Sequence, residues 1–235
     1  MPKPLVIAHR GASGHAPENT LAAFKLAMEQ QADGIELDVM LSKDGRVVVI
    51  HDDTVDRTTN GSGRVRDLTL DALQGLDAGG GERIPTLADV LDTFGGRFLI
   101  NIELKNYSTP FDALPIIVAK MLDNYGFGDQ VLISSFNPFN FRRFRRHCPG
   151  VKLGLLTIPN KANLWIWRLF KYDALHPHYE DVDRDLVSKA KARQQQVNVW
   201  TVDNPDEIRR LAALNVDSLI TNYPQAAREA LEAEK

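Results

Sequence analysis

Three acidic residues of this sequence lie in apolar runs, where charge is not normally buried. Glu36 and Asp38 are two residues apart, so their side chains point to one face of a strand. Glu103 lies near the end of a later apolar run. Because carboxylate oxygens suit a hard divalent ion, we expect these three residues to bind Mg²⁺ or Ca²⁺ and to leave positions open for water and substrate. The alternative is a structural salt-bridge network with Arg10 and Lys105.

Two histidines accompany these carboxylates. His9 ends the first apolar run, and His51 ends the run that follows Asp38. Imidazole exchanges its proton near neutral pH, so we expect the two histidines to act as general acid and base. A hydrogen-bonded structural role is the alternative for either one. Arg10 and Lys105, together with a metal, would suit a phosphoryl oxygen whose negative charge grows in the transition state.

The elements that must position these residues are short β-rich runs separated by segments of helical period. This alternation is typical of βαβ units and predicts a parallel sheet. Thr86 and Asp89 form a predicted capping box, and Asn204-Pro205 is a predicted helix start. The candidate strands are 5–8, 35–40, 47–50, 98–104, 131–135, 152–156, 174–176, 197–202 and 218–221.

Nine strands are one too many for an eight-stranded barrel, and the Asp44-Gly45 turn resolves the count. Asp-Gly between two β runs indicates a tight hairpin, so 47–50 should return antiparallel to 35–40. Eight parallel strands remain, and 235 residues is a usual length for one barrel. The sequence therefore predicts an α/β fold, a (β/α)₈ TIM barrel, with the active site at the C-terminal ends of the strands.

The same turn predicts a register for the hairpin. If Asp44 and Gly45 are the two loop residues, Lys43 pairs with Arg46. Asp38 then lies opposite His51.

Residues 52–83 have little periodicity and many turn residues, with a short predicted helix at 69–76. We expect them to form a small insertion subdomain after the second strand. The whole chain, 1–235, is then a single catalytic domain.

The composition limits the partners. Lys and Arg total 28 against 31 Asp and Glu, so a nucleic-acid partner is not expected. The single cysteine, Cys148, excludes an internal disulfide framework. We find neither a signal peptide nor a run of about 18 apolar residues, and so expect a cytoplasmic protein without stable membrane insertion.

The ordered set of motifs resembles the glycerophosphodiester phosphodiesterases, of the cytosolic bacterial type. Each motif is short, but together they run in order from about residue 5 to residue 225. The motifs that carry the resemblance are His9-Arg10-Gly11, Pro17-Glu18-Asn19-Thr20, Glu36-x-Asp38, His51-Asp52, Arg57-Thr58-Thr59-x-Gly61, Glu103-Leu104-Lys105, Trp200-Thr201-Val202 and Thr221-Asn222-Tyr223-Pro224.

The resemblance implies a (β/α)₈ barrel whose insertion helps to enclose the glycerol end of the substrate. It implies metal-dependent hydrolysis of small-molecule glycerophosphodiesters to glycerol 3-phosphate and an alcohol. The implied catalytic pair is His9 and His51, and the implied phosphate contacts are Arg10 and Lys105. The implied metal ligands are Glu36, Asp38 and Glu103.

One departure concerns the closing motifs, where the family more often has Asp at the position of Asn222 and Asn at that of Asp203. We expect neither change to affect the chemistry, because neither falls on a proposed ligand or proton carrier. Two other functions stay open: a lipid or lysolipid phosphodiesterase that stops at a cyclic phosphate, and a non-catalytic barrel that binds phosphodiesters. The sequence leaves undecided the alcohol accepted, the metal, the acid and base assignment, and the choice between monomer and homodimer.

Several aromatic and basic residues are candidates for further roles. Trp200 is expected either to cover the glycerol moiety or to pack in the core. His176, His178 and Glu18 are further candidates to line the site. The arginines between 142 and 146 are expected on a solvated helix face. The aromatic segment 164–172 is interpreted as core, with a wall of the cleft, a subunit contact or a membrane-surface anchor as alternatives.

Overall fold

The computed structural model describes residues 3–162 and 164–233 of the chain. Eight parallel strands form a closed ring, because the first strand pairs with both the second and the last. The predicted (β/α)₈ barrel is confirmed. The ring strands are β1 (Leu5–His9), β2 (Gly34–Leu41), β4 (Leu99–Leu104), β5 (Val131–Ser135), β6 (Lys152–Thr157), β7 (Ala174–Pro177), β8 (Gln196–Val199) and β9 (Ser218–Thr221).

Helices pack around this ring. Thr86 and Asp89 form the predicted capping box, and Asn204 caps a helix that begins at Pro205. The helices are α1 (Leu21–Glu29), α2 (Leu70–Gln74), α3 (Leu87–Phe94), α4 (Leu114–Tyr125), α5 (Phe139–Arg145), α6 (Arg184–Ala192), α7 (Pro205–Ala213) and α8 (Pro224–Glu232). Among the described residues, none of them is long and apolar enough to cross a bilayer.

The connection between β6 and β7 departs from the repeat. In its described part, residues 158–173 contain a 3₁₀ turn, Trp165–Leu169, where the other units place an α-helix. Trp167 and Tyr172 pack against the barrel core, so the interpretation of this segment as core is correct for these two residues. Their neighbours along the turn face outward.

The predicted hairpin register is wrong by one residue. The antiparallel strand β3 (Val47–Val49) pairs with β2 so that Val39 lies opposite Val49 and Leu41 opposite Val47. The turn therefore contains three residues, 43–45, closed by a hydrogen bond from the backbone N–H of Gly45 to the carbonyl of Ser42. Gly45 has a φ of 74°, the left-handed conformation that a three-residue turn of this kind requires at its last position.

As a result, the residue that bonds to Asp38 across the hairpin is Ile50, through its backbone N–H, and not His51. His51 lies one position beyond the pair and outside the ladder. The predicted strand 197–202 is also too long. After Val199, the backbone makes separate hydrogen bonds to Pro177 and Ile220 instead of continuing the ladder.

The insertion after β3 has its own small apolar core. Its side chains pack under the hairpin and next to the main core. The buried members are Met40, Val48, Ile50, Val55, Val65, Leu73, Ala78 and Ile84. This packing holds the insertion above the second strand.

Polar side chains occupy part of the barrel interior. His176 on β7 is fully buried, and its Nε2 lies 3.0 Å from the side-chain nitrogen of Asn198 on β8. Gly154 on β6 makes room for this ring, because a Cβ there would lie 2.4 Å from Nε2. Burial lowers the pKa of His176 to about 3.

Candidate active site

The three predicted carboxylates meet at the C-terminal ends of β2 and β4. Asp38 and Glu103 are paired across the two strands, and Glu36 lies two residues before Asp38 on the same face. All three are buried, and one oxygen from each lies within 4.8 Å of the others. Burial and the neighbouring carboxylates raise the pKa of Glu36 well above its usual range, and burial and Asp38 raise that of Glu103. Such a cluster has the donor atoms and the excess negative charge that a hard divalent ion needs.

Two cations flank the cluster. Arg10 Nε lies 3.3 Å from Asp38 Oδ2, and Lys105 Nζ lies 3.4 Å from Glu103 Oε1. The backbone N–H of Arg10 donates to Glu36 Oε2 at 3.0 Å. Arg10 adopts a φ of 55°, which is uncommon for a residue with a side chain and typical of functional turns.

Gly11 explains why the first motif needs a glycine. Its φ is 82°, and a Cβ at this position would lie 2.6 Å from the backbone of Ala23 on α1. The close approach lets the chain turn directly after His9. The turn brings both His9 and Arg10 to the carboxylates.

His9 lies between the carboxylates and the end of β9. Its Nδ1 is 2.7 Å from Asn222 Oδ1, and its Nε2 is 4.0 Å from Glu36 Oε2. Ser13 donates its hydroxyl proton to the same Asn222 oxygen. Burial, together with the charge of Arg10, lowers the pKa of His9 to about 4. The neutral ring therefore presents one nitrogen to the amide and the other to the carboxylate cluster.

His51 is held by a carboxylate instead. Its Nδ1 is 2.5 Å from Asp52 Oδ1, and its Nε2 is 2.9 Å from Lys105 Nζ. Asp52 accepts a hydrogen bond at 2.6 Å from Arg57, and this bond lowers the pKa of Asp52 to about 2. A carboxylate at Nδ1 orients the ring and fixes its tautomer.

Glu18 and Arg57 connect the loop after β1 to the insertion. Both oxygens of Glu18 accept hydrogen bonds from Arg57 at 2.8 Å, and one also accepts from Arg10. Burial opposes ionisation of Glu18, but the bonds from Arg57 and the charge of Arg10 lower its pKa to about 2. Asp52 and Arg57 belong to the motifs His51-Asp52 and Arg57-Thr58-Thr59-x-Gly61, and these motifs are their only signal in the sequence.

These side chains surround one cavity of about 140 Å³, whose lining includes His9, Arg10, Glu36, His51, Glu103, Lys105 and Trp200. Trp200 forms part of its aromatic wall, with its ring centroid 5.6 Å from that of Phe136 and 5.4 Å from that of His178. His176 does not line this cavity. It lies deeper in the barrel.

Three contacting residues were missed by sequence reasoning. Tyr107 donates its hydroxyl proton to Glu103 Oε1 at 2.6 Å. Phe136 follows β5 and packs between Tyr107 and Trp200. Asn222 was noted as a departure from the family pattern, but its contact with His9 was not predicted.

Comparison with known proteins decides the family. The model of the glycerophosphoryl diester phosphodiesterase family matches residues 9–226, a span that includes every proposed site residue. The chain belongs to this family. A glycerophosphodiester phosphodiesterase of Caldanaerobacter subterraneus subsp. tengcongensis is 44% identical, covering 95% of this chain and 96% of its own. One from Bacillus altitudinis is 36% identical, covering 94% and 96%.

A solved structure of a phosphodiesterase is also similar. The Oleispira antarctica phosphodiesterase, solved in complex with the product sn-glycerol-3-phosphate, is 34% identical with a TM-score of 0.89. The match covers 98% of this chain and 97% of the other. Both chains are therefore matched over nearly their whole length, barrel and insertion together.

Proposed function

We propose that the protein hydrolyses glycerophosphodiesters to glycerol 3-phosphate and an alcohol with the help of a divalent metal. The observation that carries this proposal is one cavity lined by two histidines, two cations and two members, Glu36 and Glu103, of a buried cluster of three carboxylates. Family membership and the product bound by the Oleispira antarctica relative support it. A cytoplasmic location, consistent with a single cysteine, and a monomeric or homodimeric state belong to the same proposal.

The metal would be held by Glu36, Asp38 and Glu103. Their oxygens suit Mg²⁺ and Ca²⁺ alike. When bound, the ion supplies positive charge against the negative charge that develops on the phosphoryl oxygens. Tyr107 fixes one oxygen of Glu103 by its hydrogen bond and so limits the rotation of that carboxylate.

Arg10 and Lys105 would bind the phosphodiester. Both lie at the edge of the carboxylate cluster with their charged ends lining the cavity. A phosphate oxygen that enters the cavity meets a guanidinium on one side and an ammonium on the other. Charge-assisted hydrogen bonds of this kind are stronger than neutral ones and strengthen as the phosphoryl group gains charge.

The two histidines would move the protons. One takes the proton of the attacking water or hydroxyl, and the other protonates the departing alkoxide. His9 Nδ1 is bound by Asn222 and His51 Nδ1 by Asp52, so the reacting atom of each ring would be Nε2, which in His51 contacts Lys105 Nζ at 2.9 Å. The different partners, an amide and a carboxylate, suit the rings to different roles.

The insertion would recognise the glycerol end. Residues 52–83 begin at the carboxylate that holds His51, and Arg57 ties them to Glu18 beside Arg10. Arg57→Gln should therefore raise KM for glycerophosphodiesters and leave the circular dichroism spectrum unchanged. An unchanged KM in a folded variant would remove this role from the insertion.

A panel of glycerophosphodiesters, assayed for glycerol 3-phosphate, tests the proposal as a whole. Release of glycerol 3-phosphate from several of them would support it. Phosphorus NMR of the product separates hydrolysis from a route that stops at a cyclic phosphate. Binding without turnover would indicate a non-catalytic barrel and contradict the proposal.

A further inference from the structure

Exposed apolar side chains concentrate on one part of the surface. Most of the exposed large hydrophobic residues in the described chain lie in the connections that follow β4, β5 and β6. Phe111 is 80% exposed, and Trp165 and Leu169 are each 69% exposed. We name as the apolar rim the six most exposed of these residues: Phe111, Phe139, Ile158, Trp165, Ile166 and Leu169.

The three connections are joined to one another. β4, β5 and β6 are neighbours in the barrel, so their following segments begin side by side. Arg143 on α5 donates to the carbonyl oxygen of Phe111, and the rings of Phe139 and Phe170 lie 5.5 Å apart. The apolar rim is therefore one surface. An exposed apolar surface of this kind indicates an interaction site.

The rim and the active-site cavity are separate features. Phe136, which follows β5, contacts Tyr107 from the β4 connection and Trp200 of the cavity wall. None of the six rim residues lines the cavity itself.

The charge around the rim has one sign. Between Asp129 and Asp173 the chain contains no Asp or Glu and eight of its 28 Lys and Arg residues. The remaining 20 stand against all 31 Asp and Glu, so the rest of the molecule is strongly acidic. Lys161, Arg168 and Lys171 are exposed within the connection after β6, and Arg142 on α5 and Arg146 directly after it are exposed as well.

We propose that the apolar rim and its cations bind the surface of an anionic lipid bilayer, with Trp165 and Leu169 entering the region between headgroups and acyl chains. Exposed tryptophan and aliphatic tips surrounded by Lys and Arg are the pattern of interfacial binding. The cations lie where anionic headgroups would attract them. A second copy of this chain fits less well, since a symmetric contact through the rim would bring two sets of like charges together. This proposal does not depend on the proposed function.

Vesicle sedimentation tests the proposal. The whole protein is mixed with phosphatidylcholine vesicles that contain about one third phosphatidylglycerol, or none, at low and high salt. We expect binding to the anionic vesicles at low salt, with at least tenfold weaker binding at high salt or without phosphatidylglycerol, because salt screens surface charge. Absence of binding to the anionic vesicles would overturn the proposal, as would equal binding to both kinds.

Two variants separate the parts of the surface. Trp165→Ser with Leu169→Ser removes the apolar tips, and Arg168→Gln with Lys171→Gln removes two charges. Each pair should weaken vesicle binding at least tenfold. The matched control is Met28→Ser, which removes an exposed apolar side chain on α1, away from the rim, and should bind like the unchanged protein.

Two further measurements keep the result interpretable. Neither pair of variants touches the active-site cavity, so turnover of a water-soluble glycerophosphodiester should stay within about twofold and report that the variants fold. The oligomeric state is measured by light scattering. If the rim residues held a dimer together and the serine variants were monomeric, the rim would be a subunit contact and the lipid proposal would be wrong.

Discussion

Asp203 binds Asn222 through both of its carboxylate oxygens: Oδ2 accepts from the side-chain nitrogen at 2.6 Å, and Oδ1 accepts from the backbone N–H at 2.8 Å. Asn222 in turn holds Nδ1 of His9 at 2.7 Å. The family more often has a carboxylate at position 222 and an amide at position 203. In this chain the two groups are interchanged. Hydrogen bonds still connect His9 to residue 222 and residue 222 to residue 203. The carboxylate is now at residue 203, and the amide of Asn222 is the group that contacts His9. Asn222 therefore contacts a proposed proton carrier, and the sequence did not predict this contact.

The first prediction treats this pair as a unit. Asn222→Asp would place two carboxylates about 2.6 Å apart, and Asp203→Asn would leave one partly buried N–H of the pair without an acceptor. Either change should displace or replace the amide that orients His9, so kcat/KM should fall roughly tenfold or more, a part of the about 10²–10⁴-fold that a general acid or base contributes. The double variant restores one amide and one carboxylate and should recover most of the activity. If the effects of the two single changes on kcat/KM simply combined in the double variant, the two residues would act independently.

The second prediction concerns Glu36 and the metal. Added Mg²⁺ or Ca²⁺ should raise the Tm of the protein, because a ligand that binds only the folded state stabilises it. Glu36→Gln keeps an acceptor for the Arg10 backbone N–H but removes one ligand charge, so this Tm shift should largely disappear. The chelated variant should melt no lower than the chelated parent, since one of three repelling carboxylates is gone. Glu29→Gln, an exposed change on α1, is the control and should keep the full shift.

The third prediction uses the buried histidine of the barrel interior. His176 stays neutral in the folded protein down to a pKa of about 3, whereas its ordinary value is 6.5. As the pH falls from about 6.5 towards 3, the unfolded chain binds one more proton, and the free energy of unfolding drops by up to about 1.4 kcal/mol per pH unit. Above pH 6.5 this group has no effect.

Urea unfolding at pH 7 and pH 5 measures this contribution. Between these two pH values, the free energy of unfolding of His176→Gln should fall by about 2 kcal/mol less than that of the parent protein. His147→Gln, at an exposed histidine, should follow the parent. If the parent and His176→Gln showed the same loss, the ring would be protonated in the folded state.

The fourth prediction separates the two catalytic histidines. His51 has a carboxylate partner, Asp52, whereas His9 faces an amide, and burial together with the charge of Arg10 lowers the pKa of His9 to about 4. We therefore expect His51 to be the acid and His9 the base. His51→Ala should reduce hydrolysis of natural alkyl esters by about 10²–10⁴-fold and spare a nitrophenyl ester, whose leaving group needs no proton. His9→Ala should reduce both, and equal losses on both substrates in both variants would refute the division.

The sequence predicts which residues form the site more completely than it predicts the contacts among them. Strand alternation places Glu36 and Asp38 on one face, and barrel topology brings Glu103 and His9 beside them. Which hairpin register forms depends on whether two or three residues make the turn, and Asp44-Gly45 is compatible with both. This ambiguity produced the error of one residue at His51.

Contacts between different strand ends are the part that spacing cannot predict. Tyr107 reaches Glu103 from the following connection, and Asn222 reaches His9 across the closure of the barrel. The segment 164–172 has no clear period, so its sequence could not decide which aromatic residues face inward. The structure divides them, with Trp167 and Tyr172 packed on the core and Trp165 exposed.

The most direct test of the central claim is the release of glycerol 3-phosphate from a glycerophosphodiester by the chelated protein, before and after Mg²⁺ or Ca²⁺ is restored. The account predicts that chelation abolishes release and that one or both ions restore it in the parent protein. Little restoration is expected in Glu36→Gln, Asp38→Asn or Glu103→Gln. Undiminished release by the metal-free protein would contradict the assignment of the three carboxylates.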